Sequence, residues 1–103
     1  MMIIKKHYLK SKPICKVTFQ VPSEIGNSAS AANLVGEFNQ WDINATPMKK
    51  LKNGTFTVTV DLEKDREYRF RYLLDKAIWE NATNADRYEP SPYGDEKNCV
   101  IIV

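Results

Sequence analysis

The sequence predicts an all-β, immunoglobulin-like sandwich of about seven short antiparallel strands. Three observations point there. Segments 14–21, 55–62 and 67–74 alternate apolar and polar residues with a period of two. Turn-forming residues interrupt the chain at short, regular intervals. No stretch long enough for an ordinary helix repeats its apolar residues at 3.6.

The elements follow in order. In ICKVTFQV (14–21), Cys15, Val17, Phe19 and Val21 share one face, with Lys16, Thr18 and Gln20 on the other. Pro22 to Ser30 is small and polar and reads as a loop. ANLVGEF (32–38) is a second strand, and NQWDINAT (39–46) a turn-rich loop leading through Pro47 into a short MKKL segment. Asn53-Gly54, before TFTVTVDL, is the favoured pair for a two-residue type I′ hairpin, in which both residues need positive φ. Beyond it Phe56, Val58, Val60 and Leu62 point inward. EKDR (63–66) turns the chain into EYRFRYLL, with Tyr68, Phe70, Tyr72 and Leu74 inward and Arg69, Arg71 and Leu73 outward. A tight turn at 75–77 precedes Ile78-Trp79-Glu80, and CVIIV (99–103) closes the fold. Residues 81–97 lack alternation and contain two prolines, so they read as a long connection, of a kind that is functional or disordered in compact domains.

At 103 residues the chain is one domain, far short of an α/β barrel at roughly 250. Its 15 basic and 13 acidic groups give a net charge of +2, which argues against general nucleic-acid binding. The distribution is uneven: residues 1–16 carry five lysines and no acid, so the remainder is net negative. Residues 1–13 are therefore expected as a basic N-terminal arm, and 14–103 as the domain. Cys15 and Cys99 form no CxxC, and the single His7 stands far from both, so no metal site or cofactor is expected. Whether the two thiols meet stays open. With no signal-peptide or membrane-span pattern, a cytoplasmic location with reduced thiols is expected.

No nucleophile elbow, phosphate loop or second histidine is present, and acids at turns are mostly solvated. The aromatic placement says more. Trp41 lies amid Asn39, Gln40, Asp42 and Asn44, and Trp79 beside Glu80 and Asn81, both off the alternating core faces. A flat apolar ring rimmed by amides and guanidinium suits a sugar, whose C–H face packs on the ring while its hydroxyls bond the rim. Bases of single-stranded nucleic acid would stack equally well, but a net negative domain disfavours phosphates.

Leu34-Val35-Gly36-Glu37-Phe38-Asn39-Gln40-Trp41-Asp42 resembles the GxFNxW signature of early-set glycogen-binding modules. These are of the isoamylase N-terminal type, found also in the β-subunit of the AMP-activated protein kinase (carbohydrate-binding module family 48). The likeness continues in order through Asn53-Gly54-Thr55-Phe56, Tyr68-Arg69-Phe70-Arg71-Tyr72, Asp75 with Trp79, Tyr93-Gly94, and Asn98 before the last strand. It covers residues 31–103, while LKSKPICKVTFQVP is similar to the start of small stand-alone bacterial members. The resemblance implies that Trp41 and Trp79 stack on an α-glucan (glycogen, starch or maltooligosaccharide). It also implies that Arg71 and Asn98 bond sugar hydroxyls and that Tyr93 caps the site, with Asn39 at the polar rim. Four features depart from the family: the turn before Trp79 is one residue longer, Arg71 stands where the kinase type has lysine, Asp95 or Glu96 falls where threonine is common, and the 81–97 loop is longer. The expected function is non-catalytic glucan binding. The alternative is an accessory subunit that docks on a separate glycoside hydrolase through the tryptophan face.

Overall fold

The computed structural model describes residues 3–26, 29–80, 85–90 and 97–103. In chain order the strands are β1 (Ile3–Tyr8), β2 (Ile14–Val21), β3 (Ala32–Gly36), β4 (Lys49–Lys50), β5 (Phe56–Glu63), β6 (Glu67–Leu74), β7 (Ile78–Glu80), β8 (Arg87–Pro90) and β9 (Lys97–Ile102). A four-residue helix α1 (Ser23–Gly26) follows β2, and a 3-10 turn (Glu37–Asn39) follows β3. Two antiparallel sheets result, one ordered β1-β2-β5-β4, the other β3-β6-β9-β8 with β7 beside β6.

The core is what the period of two dictates. On β2, Cys15, Val17, Phe19 and Val21 are wholly buried and sit opposite Leu62, Val60, Val58 and Phe56 of β5. Across the sandwich, Phe70, Tyr72 and Leu74 of β6 meet them, flanked by Leu34 of β3 and by Cys99 and Ile101 of β9. Phe19 joins the sheets: its ring centroid lies 5.1 Å from Phe70, 6.1 Å from Phe38 and 6.5 Å from Tyr72. Cys15 and Cys99 are free thiols in this core. The Tyr72 hydroxyl is buried with no hydrogen-bond partner among the described residues. Burial pushes its ionisation well above the usual phenol range.

Several expectations change. Residues 3–8, inside the stretch expected as an arm, pair with residues 15–20 of β2 as its outer neighbour. Lys6 of β1 bonds Asp86 at 2.8 Å, and the same Asp86 oxygen accepts the Ile102 amide at 2.7 Å, tying β1 to the other sheet. The connection expected over 81–97 holds β8, because Arg87 and Glu89 alternate with Tyr88 and Pro90 and pair with Val100 and Asn98 of β9. β9 accordingly starts at Lys97 rather than at Cys99. The hairpin at Asn53 is not of type I′. Only Gly54 has positive φ (90°), and Leu51 closes a three-residue loop with Thr55 at 2.7 Å. Asn53 instead accepts the Thr55 amide through Oδ1. Consecutive positive φ angles occur at Asp75 (51°) and Lys76 (55°), where Asp75 Oδ1 also accepts the Ser30 and Ala31 amides at 2.8 and 2.9 Å. Leu73, placed on the outward face, is only 2% exposed. Its neighbours on that face, Val35 and Val100, are also buried, so the second sheet is apolar on both sides at its centre.

Candidate functional site

The outer face of the second sheet brings together Arg71, Trp79 and Asn98, three of the six residues singled out. Arg71 sits mid-β6 opposite Val35, two residues from Leu73, so both side chains project from one face. Trp79 of β7 lies opposite Leu73 and on the same face. The contact follows directly: the Arg71 guanidinium rests over the Trp79 ring, 5.1 Å from its centroid. Trp79 remains 39% exposed.

Trp41 arrives by a different device. After β3 the chain makes its 3-10 turn, then Gln40 and Trp41 both adopt left-handed backbone angles, with φ of 56° and 58°. The Trp41 amide donates to the Gly36 carbonyl at 2.9 Å, closing the turn. Two successive left-handed residues other than glycine store strain, of order 1–3 kcal/mol each, and such strain clusters where a side chain must be presented. Here the product is a second indole, also 39% exposed, in the loop that leaves β3. The rings of Trp41 and Trp79 make no ring contact with each other among the described residues.

Asn39 is not placed to meet a ligand. It is 9% exposed, and its amide is used within the loop. Nδ2 donates to the Leu34 carbonyl and to Thr46 Oγ1, both at 2.9 Å, and Oδ1 accepts the Gly36 amide at 3.0 Å. Its work is to brace the turn that carries Trp41, a role its polarity alone did not reveal. Asn98 lies on the outer face, opposite Glu89, but is only 8% exposed. Tyr93, together with Asp95 and Glu96, lies outside the described residues.

Below Arg71 the face becomes a ladder of charge. Arg69 grips Glu89 with Nε at 2.7 Å and Nη2 at 3.2 Å. On its other side its backbone amide donates to Glu37 at 2.7 Å and its guanidinium at 3.3 Å. Arg87 bonds Glu89 and lies 2.6 Å from Glu67. Neither Glu89 nor Glu37 was singled out in the sequence, although the alternation of charges in Arg87-Tyr88-Glu89 was a signal for it. Hydrogen bonds from Arg69 and then Arg87 hold the Glu89 carboxyl below the ordinary 4.5, and one from Arg87 does the same for Glu67. Carboxyls lowered by folding stabilise the fold above the unfolded value and lose that contribution as pH falls through the folded one. Wild-type stability is therefore expected to drop as pH falls below 4.5, measured by urea unfolding. In Glu89→Gln the drop should be smaller; equal drops in the two proteins would remove Glu89 as a cause.

The arrangement offers flat aromatic surface, a cation and fixed polar groups on an open sheet. Among the described residues no group of histidines, cysteines and acids could hold a metal ion. The family carbohydrate-binding module 48 (isoamylase N-terminal domain) matches residues 11–94. The 1,4-alpha-glucan branching enzyme GlgB of Photobacterium profundum is 31% identical over 68 residues, which are 65% of this chain. The chain spans only 9% of that relative's length.

Proposed function

The chain belongs to the carbohydrate-binding module 48 family, a non-catalytic binding module, and from that premise we propose that it binds α-1,4-linked glucan on the outer face of its second sheet. Trp79 and Trp41 each take the C–H face of a glucose unit, and Arg71 donates to hydroxyls beside the Trp79 ring. The observation that carries this reading is the exposed Trp79 indole with the Arg71 guanidinium against it, on a strand face otherwise filled by apolar and ion-paired side chains. The relative's printed substrate, a 1,4-alpha-glucan, supports the polymer class. Asn98, nearly covered, contributes at most an edge, and Asn39 acts through the loop.

Binding on so open a face is weak, since a few exposed hydrogen bonds gain little over water and ordering the sugar opposes them. Titration with maltoheptaose, followed by tryptophan fluorescence, is expected to saturate in wild type. Trp79→Ala should lower affinity about tenfold, corresponding to ~1.4 kcal/mol. An unchanged affinity in Trp79→Ala, or no response of wild type at millimolar sugar, would remove this reading. The second reading, docking on a separate glycoside hydrolase, draws on the likeness to a stretch of a 1,4-alpha-glucan branching enzyme. It would be favoured by co-purification with such an enzyme that Trp79→Ala abolishes, in a protein with no sugar affinity of its own.

A further inference from the structure

Trp79 and Arg71 come from unequally supported strands. β6 is hydrogen-bonded along both edges, to β3 on one side and to β7 and β9 on the other. Arg71 lies opposite Val35 of β3, between the stretch of β6 that pairs with β9 and the stretch that pairs with β7. Among the described residues β7 spans three, pairs with Tyr72–Leu74 alone, and follows a turn with two left-handed residues. A large ring on so short a strand needs side-chain support to hold one orientation. Leu73, opposite Trp79 on the shared face and nearly buried, gives part of it. The guanidinium lying over the ring gives another part.

We propose that Arg71 is a positioning residue for Trp79: its guanidinium, held over one face of the indole, fixes the ring so that the opposite face is offered to a ligand. This rests on the reading of the face as a glucan site. The stack has two consequences. The covered face is closed to a sugar, so a glucose unit packs on the other face of Trp79. The ring is also held before the ligand arrives, so less ordering opposes binding. The planarity matters as much as the charge. A lysine ammonium keeps the charge and a donor but is a compact, strongly hydrated group on a flexible stem, without a plane to lay on the indole.

The test compares wild type, Arg71→Lys and Arg71→Ala. Near-ultraviolet circular dichroism of the sugar-free proteins reads the Trp79 ring, its share isolated by repeating each spectrum in a Trp79→Phe background. Maltoheptaose titration reads affinity. Both variants are expected to lose the Trp79 dichroism and to bind about three- to fivefold more weakly, the size of an exposed cation–π contact. Far-ultraviolet spectra matching wild type show that the sheet is intact. Arg71→Lys keeping wild-type affinity would overturn the proposal, because charge or a single donor would then suffice. So would an Arg71→Lys protein with weaker binding but unchanged sugar-free dichroism, since the ring would not have moved. The two readings fail separately: a wild type that binds no maltoheptaose removes the glucan function, while the sugar-free spectra still decide whether Arg71 holds the ring.

Discussion

Phe19→Ala is expected to destabilise the fold by about 3–5 kcal/mol. Phe19 is wholly buried in the first sheet and meets three rings, Phe38, Phe70 and Tyr72, that belong to the second sheet or to the turn leaving it. Truncation removes the transfer free energy of the ring and leaves a cavity between layers. The strands that would have to close it are fixed by their ladders: β2 is paired on both sides, to β1 and β5, and β6 likewise, to β3 and β9. Collapse around alanine is therefore limited, which places the cost in the upper part of the range for such changes. A domain of this size holds only about 5–15 kcal/mol in total. A loss of about 3 kcal/mol would lower Tm by at least about 12 °C. Urea unfolding of wild type and variant measures it. A loss below about half the low end of that range would mean that the neighbouring rings move in and that Phe19 does not hold the two sheets together.

The strands that lie across the core were legible because one buried face imposes a period of two. The segments 14–21 and 67–74 coincide with β2 and β6 residue for residue. Strands whose residues answer to something other than the core were not legible. β1 is rich in lysine because it is an edge, and β8 carries Arg87 and Glu89 because they face Glu67 and Arg69 across the sheet. Leu73 has the outward phase expected of it, and its burial comes from neighbours such as Trp79 that β7 lays opposite it. The hairpin at Asn53 misled because Asn-Gly also suits a three-residue loop, in which only the glycine needs positive φ. For the site, the polarity around the two tryptophans and the outward phase of Arg71 were visible in one dimension. The inward use of Asn39 and the covering of Asn98 were not, because burial depends on which segments fold over a residue. The GxFNxW likeness falls on the 3-10 turn after β3, where its asparagine bonds the turn's backbone and its tryptophan is left exposed.

Gly36→Ala is the sharper test of that division of labour. Gly36 has φ of −173°, extended backbone that any residue adopts, so no left-handed angle requires glycine here. Judged by the backbone alone, alanine would even help, by about 0.4–1 kcal/mol through the unfolded chain. Space reverses the sign. A Cβ at Gly36 would stand 2.6 Å from the Arg69 carbonyl oxygen and 2.9 Å from the Phe70 Cβ. Neither can yield cheaply, because β6 is paired on both edges and the Arg69 amide is held by Glu37 at 2.7 Å. Overpacking of this kind costs about 3 kcal/mol, leaving a net loss of about 2 kcal/mol. The effect should also reach Trp41. Gly36 offers its amide to Asn39 and its carbonyl to the Trp41 amide, so a displaced Gly36 moves both ends of the turn. The expected result is a lowered urea midpoint together with a shifted Trp41 emission, read in a Trp79→Phe background. An alanine variant as stable as the parent, with unchanged emission, would show that β3 and β6 can part enough to admit a methyl group. The close approach at Gly36 would then not be what sets the position of the tryptophan.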